Sequence, residues 1–275
     1  MSDWRFLLSR RWAGYLALTI VFAIVCVALG TWQLNRRAEA LTEVARIDAN
    51  YDADPVPIAE ALPDPAAFDD DLKWLPVAVS GEWMPEEQVL VRNRPYSGAS
   101  GYEVITPFRL DDGRVFMIDR GWIQAPVDGT AVDVPGVPAG RVEVAARLKA
   151  GEDVIAGRSS SGDLLATIDL DELATRVDAP SYTGAYGLLV QSAAEADEPP
   201  LPAMRPERDE GPHLSYAFQW FVFALMAFVG LGWAARQERR SRAEEDGEAP
   251  VAPPKPRRRA PSDADVEDGI LDVRR

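Results

Sequence analysis

Residues 12–31 read WAGYLALTIVFAIVCVALGT, and residues 216–235 read YAFQWFVFALMAFVGLGWAA. Neither stretch contains a charged residue. Each is long enough for a helix that rises about 1.5 Å per residue to cross a hydrocarbon core of roughly 30 Å. We therefore predict two transmembrane helices, at 12–34 and 214–235, that form a hairpin. The segment between them must lie on one side of the membrane and both termini on the other.

A cleaved signal peptide is the alternative interpretation of the first stretch, because Arg10 and Arg11 precede it. Its apolar run is longer than a typical signal-peptide core, and no clean small-x-small cleavage site follows it. A retained membrane anchor is therefore the favoured interpretation.

Arginines near the ends of the two stretches predict their orientation. Residues 1–11 and 236–242 hold seven arginines, whereas the flanks that face the central segment, 32–46 and 205–208, hold five. Because lysine and arginine favour the cytoplasmic side of a membrane, we expect both termini in the cytoplasm. The expected location is the cell (plasma) membrane, and the lipid bilayer is a predicted partner.

The central segment is strongly acidic and has no cysteine. Residues 35–213 hold 16 Lys+Arg and 33 Asp+Glu, a net charge of −17 within a chain of −15. Such a charge argues against nucleic acid as a partner. The one cysteine, Cys26, lies inside the first apolar stretch. The outer segment therefore has no disulfide and no CxxC, which excludes thiol–disulfide exchange and cysteine-based copper delivery.

The central segment consists of short apolar runs separated by turn residues. We predict strands within 74–83, 87–94, 102–110, 114–123, 141–148, 164–169 and 182–192. The runs on either side of Asp111-Asp112-Gly113 give the strongest hairpin signal. A short helix is expected from Leu170 to Val177, with Asp169 as its N-cap. The pattern favours an antiparallel sheet or partly closed barrel of five to seven strands.

These elements predict an α+β protein whose two transmembrane helices flank an outward-facing, antiparallel β-rich domain. The first helix is expected to continue to about Tyr51, because no breaker occurs before Asp54-Pro55. The predicted organisation is a cytoplasmic lead at 1–11, transmembrane helix 1 at 12–34, an extracytoplasmic β-rich domain at 35–213, transmembrane helix 2 at 214–235, and a disordered cytoplasmic tail at 236–275.

The chain has one histidine, His213, at the mouth of the second apolar stretch. A Ser-His-Asp or Cys-His hydrolase would have to use it, but no GxSxG precedes it. Sites with several histidine ligands are impossible. We therefore expect a protein that is not an enzyme.

An arrangement around His213 remains open as a functional site. If His213 begins a helix, then Tyr216 and Trp220 lie on the same helical face. An imidazole can ligate haem iron, and a guanidinium can pair with a propionate. The alternative is that the aromatic residues anchor the helices at the membrane interface, and periodicity alone favours that reading. The end of the first stretch contributes three residues to the candidate site: Trp32, Gln33 and Arg36.

Three segments together resemble the surfeit locus protein 1 family, whose members are assembly factors for haem–copper cytochrome c oxidase. They are GTWQLNRR at 30–37, RPYSGASGYEVITPFRLDDGRVFMIDRGW at 94–122, and HLSYAFQWF at 213–221. The resemblance covers the membrane hairpin and the middle of the outer segment. Two departures are Gly211-Pro212, where many relatives carry Asn just before the histidine, and the long charged tail.

The resemblance implies a two-span membrane protein that helps haem a to enter the oxidase. The implied cofactor is haem a, bound transiently, with His213 as the candidate ligand of its iron. The implied partners are the catalytic subunit of cytochrome c oxidase and the haem a synthesis machinery. Two alternatives stay open: a scaffold that stabilises an assembly intermediate without binding haem, and a membrane-tethered enzyme of the outer face.

Arg120-Gly121-Trp122 ends a predicted strand, and Gly121 permits a bulge or tight turn there. Two interpretations are equally supported. The tripeptide is either a strand corner with a packed tryptophan or an edge that docks a partner.

Overall fold

The computed structural model describes residues 4–126, 132–192 and 199–245. The chain divides into two compact units. Unit 1 comprises Met1–Leu34 and Leu214–Arg275, and unit 2 comprises Asn35–His213.

Two long helices, α1 (Arg10–Asn50) and α4 (His213–Glu245), are each long and apolar enough to cross a membrane. A 3₁₀ turn at Trp4–Leu8 precedes α1. The end of α1 at Asn50 confirms the predicted extension beyond the apolar stretch. The helix α4 continues ten residues past the expected boundary at 235, where Glu238 and Arg242 form an i,i+4 ion pair that favours helix. The rest of the predicted disordered tail, 246–275, lies outside the described residues.

Small residues mediate the contact between the two helices of unit 1. Ala23, Cys26 and Ala224 are buried in one cluster. A Cβ placed on Gly30 would lie 2.7 Å from the ring of Phe221. Within a lipid bilayer, two helices gain no hydrophobic stabilisation from contact with each other. Small residues let their backbones approach closely, and van der Waals contacts then stabilise the pair.

Within the described residues, unit 2 contains eight strands and two short α-helices besides the C-terminal part of α1. The strands are β1 (Val56–Pro57), β2 (Pro76–Trp83), β3 (Val89–Tyr96), β4 (Ala99–Leu110), β5 (Val115–Gln124), β6 (Arg141–Ala150), β7 (Leu164–Leu165) and β8 (Ala185–Ser192). The short helices are α2 (Ile58–Ala61) and α3 (Leu170–Ala174). As the sequence predicts, Asp169 caps α3: its side chain accepts hydrogen bonds from the N–H groups of Asp171 and Glu172.

The sheet is barrel-like because one strand, β2, pairs with three others. The strand order is β1-β2-β6-β8-β5-β4-β3-β7, and β2 also pairs with β4, which closes five strands into a ring. Gly81 of β2 makes this closure possible. A Cβ at this position would lie 2.0 Å from the carbonyl oxygen of Arg109 in β4. The predicted hairpin is confirmed, since β4 and β5 are antiparallel across Asp111-Asp112-Gly113.

The sheet is mainly antiparallel, as expected, but three of its strand pairs are not. The pairs β1–β2, β3–β7 and β5–β8 are parallel. The alternation of apolar and polar residues has the same period in both kinds of pair, so the sequence pattern does not distinguish them. The long connection through β6 and α3 is what allows β8 to return parallel to β5.

Both faces of the central strands are buried. One apolar cluster contains Phe108, Phe116 and Tyr182. The other contains Ile105 and Met117, together with side chains from the C-terminal end of α1 and from α3. A two-sided core explains why nearly all of β5 is buried and why its sequence lacks clean alternation.

Candidate functional site

The residues that the sequence assigns to a haem site lie on α1 and α4. His213 is the first residue of α4 and is partly buried. Tyr216 is 49% exposed. Trp220 instead packs against the small-residue cluster around Cys26 and meets the ring of Phe223 edge-on at 5.9 Å. Of the two aromatic residues expected beside His213, only Tyr216 therefore has a largely exposed side chain.

Gly211 leaves room beside the imidazole. Its φ of +69° lies in the left-handed region that favours glycine. A Cβ at this position would lie 3.1 Å from both Cδ2 and Nε2 of His213. A larger residue would therefore press on the ring nitrogen that the haem hypothesis requires.

The α1 residues of the predicted site face different surroundings. Trp32 is 54% exposed, and Gln33 is partly buried. Arg36 donates from Nη1 to Glu39 Oε2 at 2.6 Å, and both side chains are exposed. A solvated ion pair of this kind is weak, so the guanidinium can exchange one carboxylate partner for another.

The next residue on α1 contacts the segment that leads to α4. We call residues 199–212 the return segment. Arg37 Nη2 lies 2.7 Å from Glu210 Oε2. A second ion pair, Asp48–Arg208, joins the same helix to the return segment, and a third, Asp52–Arg205, joins the turn just after α1 to it. In the sequence these arginines served only as topology signals, and the carboxylates of unit 2 that bind them were not predicted.

Arg120, the first residue of the predicted docking tripeptide, is buried among neutral groups. Nη1 donates to Gln88 Oε1 at 2.9 Å, and Nη2 donates to the carbonyl oxygen of Gly136 at 2.6 Å. The guanidinium lies over the ring of Trp83, 5.9 Å from its centroid. Burial lowers the pKa of Arg120 to about 10.

Gly121 and Trp122 hold the return segment against the sheet. The backbones of Trp122 and Leu201 exchange two hydrogen bonds, at 2.7 and 2.8 Å. Gly121 has φ +125°, and a Cβ there would lie 2.3 Å from the carbonyl oxygen of Leu201. The Trp122 indole stacks on Tyr96 and donates to the carbonyl oxygen of Arg94 at 2.7 Å. These internal contacts match the strand-corner reading, and docking of another protein by this tripeptide stays a prediction.

A cavity of about 190 Å³ lies beside the tripeptide. Its polar lining comes from Glu103, Asp119 and Lys149. Its walls include three aromatic residues and part of the return segment: Trp74, Tyr96, Trp122, Ala203 and Met204.

Asp119 is the most deeply buried carboxylate at the cavity, with 2% of its surface exposed. Oδ1 accepts the N–H of Gly121 at 2.9 Å, and Oδ2 has no hydrogen bond within the described residues. Burial, with the neighbouring charge of Glu103, raises the pKa of Asp119 well above its ordinary value. Burial likewise raises the pKa of Glu103, although Arg94 opposes the shift.

Arg94 links two carboxylates at one side of this cavity. Nε lies 2.9 Å from Glu103 Oε2, an ion pair by distance in which neither atom makes a directed hydrogen bond. Nη2 donates to Glu152. Burial acts to raise the pKa of Glu152, but hydrogen bonds from Arg94 and from the N–H of Ile168 outweigh it, and the pKa is lowered. Arg94 thus interacts with both carboxylates.

The SURF1 family model matches residues 20–225. The chain belongs to the SURF1 family. It is 31% identical over 258 residues to an uncharacterized SURF1-like protein of Mycobacterium tuberculosis, covering 91% of this chain and 93% of the relative. It is 28% identical over 245 residues to a SURF1-like protein of Monosiga brevicollis, covering 80% and 87%. It is 31% identical over 119 residues to the cytochrome oxidase assembly protein SHY1 of Saccharomyces cerevisiae, covering 42% and 30%.

The SURF1 match extends from inside α1 to inside α4 and so includes all of unit 2. It therefore covers the return segment and the cavity as well as His213. Sequence analysis singled out His213 by its rarity but missed the cavity. The charged residues that line the cavity lie on three different strands, β4, β5 and β6, and no motif links them.

Proposed function

We propose that this SURF1-family chain is a membrane-bound assembly factor for a haem–copper cytochrome c oxidase and that it assists the insertion of haem a. The observation that carries the proposal is the family membership shared with a yeast protein named for cytochrome oxidase assembly. The role is non-catalytic, and the catalytic oxidase subunit and the haem a synthesis machinery are its partners.

The proposed topology is a hairpin in the plasma membrane. Residues 12–34 and 214–235 cross the bilayer, 35–213 lie outside, and the two terminal segments are cytoplasmic. Charge-free stretches with basic terminal flanks support this arrangement. A cytoplasm-active reporter should work after Arg240 and fail at Gly136, and the reverse pattern would overturn the proposal.

His213 would hold the haem iron, because an imidazole nitrogen can ligate it. The residues present fit the group chemically: His213 supplies an imidazole, and the exposed guanidinium of Arg36 can pair with a propionate. The six residues proposed for the site are His213, Tyr216, Trp220, Trp32, Gln33 and Arg36.

Purified protein from cells that make haem a tests the haem proposal. The wild type should carry the pigment, His213→Ala should insert normally and lose it, and Arg36→Ala should weaken it. Arg37→Ala is the matched control, because Arg37 is bound to Glu210 and should leave the haem spectrum unchanged. An unchanged spectrum in His213→Ala would exclude this ligand.

Oxidase assembly in the same cells tests the function itself. Deletion of the chain should reduce assembled oxidase, and the wild-type chain should restore it. If His213→Ala also restores full assembly without bound pigment, the chain acts as a scaffold that does not bind haem. If deletion leaves the amount of assembled oxidase unchanged, the assembly proposal fails.

A further inference from the structure

The cavity beside Arg120-Gly121-Trp122 carries a charge imbalance. Its immediate charged groups are three carboxylates (Glu103, Asp119 and Glu152) and two cations (Arg94 and Lys149). With all five ionised, one negative charge is left uncompensated in a buried place. An unpaired buried charge is unfavourable, so this cluster favours the uptake of one positive charge.

Asp119 is the group that receives this charge. It lines the cavity, is almost completely buried, and has no hydrogen bond to Oδ2 within the described residues. Glu103, by contrast, has Arg94 beside it, and Glu152 is hydrogen-bonded to Arg94 and to the N–H of Ile168. When the cavity contains no cation, a proton on Asp119 restores neutrality, in keeping with its raised pKa.

The walls of the cavity suit an organic cation better than a hydrated metal ion. Trp74, Tyr96 and Trp122 supply aromatic rings, and Leu188 and Met204 supply apolar surface. Aromatic rings attract ammonium groups through their quadrupoles, and quaternary ammonium ligands are commonly recognised in this way. The volume of about 190 Å³ exceeds the roughly 150 Å³ that holds one benzene molecule in an engineered cavity, so a small molecule fits and haem does not.

We propose that this cavity is a binding site for a small organic monocation of the ammonium class, held by Asp119 and Glu103 between the aromatic walls. The site lies inside unit 2 and is independent of the proposed haem site. Because Ala203 and Met204 of the return segment form part of its wall, the bound cation contacts the chain that leads to α4.

A proton and the ligand compete for the same carboxylate. The groups that face Asp119 are Glu103 on β4, Arg94 on β3, Lys149 on β6, Glu152 after β6, and Tyr186 on β8. Of these, Glu103 shares the raised pKa. Burial acts to lower the pKa of Arg94, but its contacts with Glu152 and Glu103 outweigh it and raise that pKa, so Arg94 keeps its charge. Binding should therefore strengthen as the pH rises, and the protein should release about one proton for each cation bound.

The test uses the full chain in phosphatidylglycerol nanodiscs, whose lipid carries no ammonium group. Tetramethylammonium and n-propylammonium chloride are titrated by calorimetry at about pH 8, in a neutral to alkaline window chosen from the raised pKa. Sodium chloride at equal ionic strength controls for charge, and tert-butanol controls for shape. We expect at least one ammonium probe to bind saturably and neither control to do so. Where the proton competes, the affinity should fall about tenfold for each unit by which the pH is lowered.

Two conservative variants test the site. Asp119→Asn keeps the oxygen that accepts the Gly121 N–H, so it should fold and lose at least tenfold in affinity. Glu103→Gln should also weaken binding. Asp111→Asn, an exposed carboxylate of the β4–β5 turn paired with Arg141, is the matched control and should bind like the wild type.

Three results would overturn the proposal. They are no saturable binding of either ammonium probe, equal binding of tert-butanol, and unchanged affinity in a folded Asp119→Asn variant. A second set of nanodiscs that contain phosphatidylethanolamine identifies the source of the ligand: weaker binding of the free probe there means that the lipid headgroup competes for the cavity. Because no arm measures haem or oxidase, failure here leaves the proposed assembly function intact.

Discussion

Apolar side chains are exposed on the two long helices and buried in the sheet. Leu18 of α1 and Val229 of α4 are 69% and 63% exposed, whereas Phe108 and Phe116 of unit 2 are not exposed at all. The two long helices are long and apolar enough to cross a membrane, where a helix bonds its backbone groups internally and its apolar side chains can face lipid. The barrel-like sheet instead removes its apolar side chains from water. Substitutions in the two regions should therefore have very different consequences.

The largest effect is expected where the ring of strands closes. Gly81→Val would place side-chain atoms on the carbonyl of Arg109, where a Cβ already comes within 2.0 Å. We expect unit 2 to fail to fold, which loss of trypsin resistance and of the near-ultraviolet circular dichroism signal would show. Gly136→Ala is the control, because nothing lies within 4 Å of its Cβ position. A trypsin-resistant Gly81→Val protein would contradict the closure of β2 on β4.

The next effect concerns tryptophans in the two regions. Trp122→Ala removes a buried indole, its hydrogen bond to Arg94 and its stacking on Tyr96, and should cost about 3–5 kcal/mol of unfolding free energy. Trp233→Ala on α4, where the indole is 67% exposed, should leave the stability of unit 2 unchanged. Pulse proteolysis in urea measures both. Equal losses in the two variants would remove the distinction between the regions.

A smaller effect is expected at the helix–helix contact of unit 1. Gly30→Leu would press on the ring of Phe221, whereas Gly14→Leu has open space. Spin labels attached at Arg11→Cys and Glu238→Cys, whose native side chains form an ion pair, report on helix association. The distance between the labels should increase with Gly30→Leu and stay constant with Gly14→Leu. Equal distances would mean that Gly30 does not set the approach of the helices.

The smallest effect depends on pH. A carboxyl group whose folded pKa is raised destabilises the folded state as the pH rises through that pKa, since the charge must then be buried. Asp119 is such a group. Asp119→Asn should therefore be more stable than the wild type at about pH 8 and equally stable at about pH 3, below the ordinary carboxyl pKa values. Urea midpoints at both values check the sign, with Asp111→Asn as the control that should show no gain at high pH.

The strands and turns of unit 2 were largely predictable from local pattern. Asp169 caps α3 and Asp111-Asp112-Gly113 joins β4 to β5, as the residue types require. Arg120-Gly121-Trp122 shows the limit of that reasoning. Its position at a strand end was readable, but its internal partners, Gln88 and Leu201, are distant in the chain. From the sequence the two interpretations stay equal, and docking of a partner by this tripeptide stays a prediction.

The sequence by itself determined the two apolar helices, the uniqueness of His213 and the short strands, because helical length, residue inventory and strand periodicity are local properties. Only the tertiary structure decided the closure of the ring through Gly81, the parallel pairing of β5 with β8, and the gathering of Glu103, Asp119 and Lys149 around one cavity. Those features depend on which strands pair and in which register. Register is set by the burial of both faces of the sheet at once, and no single segment carries that information.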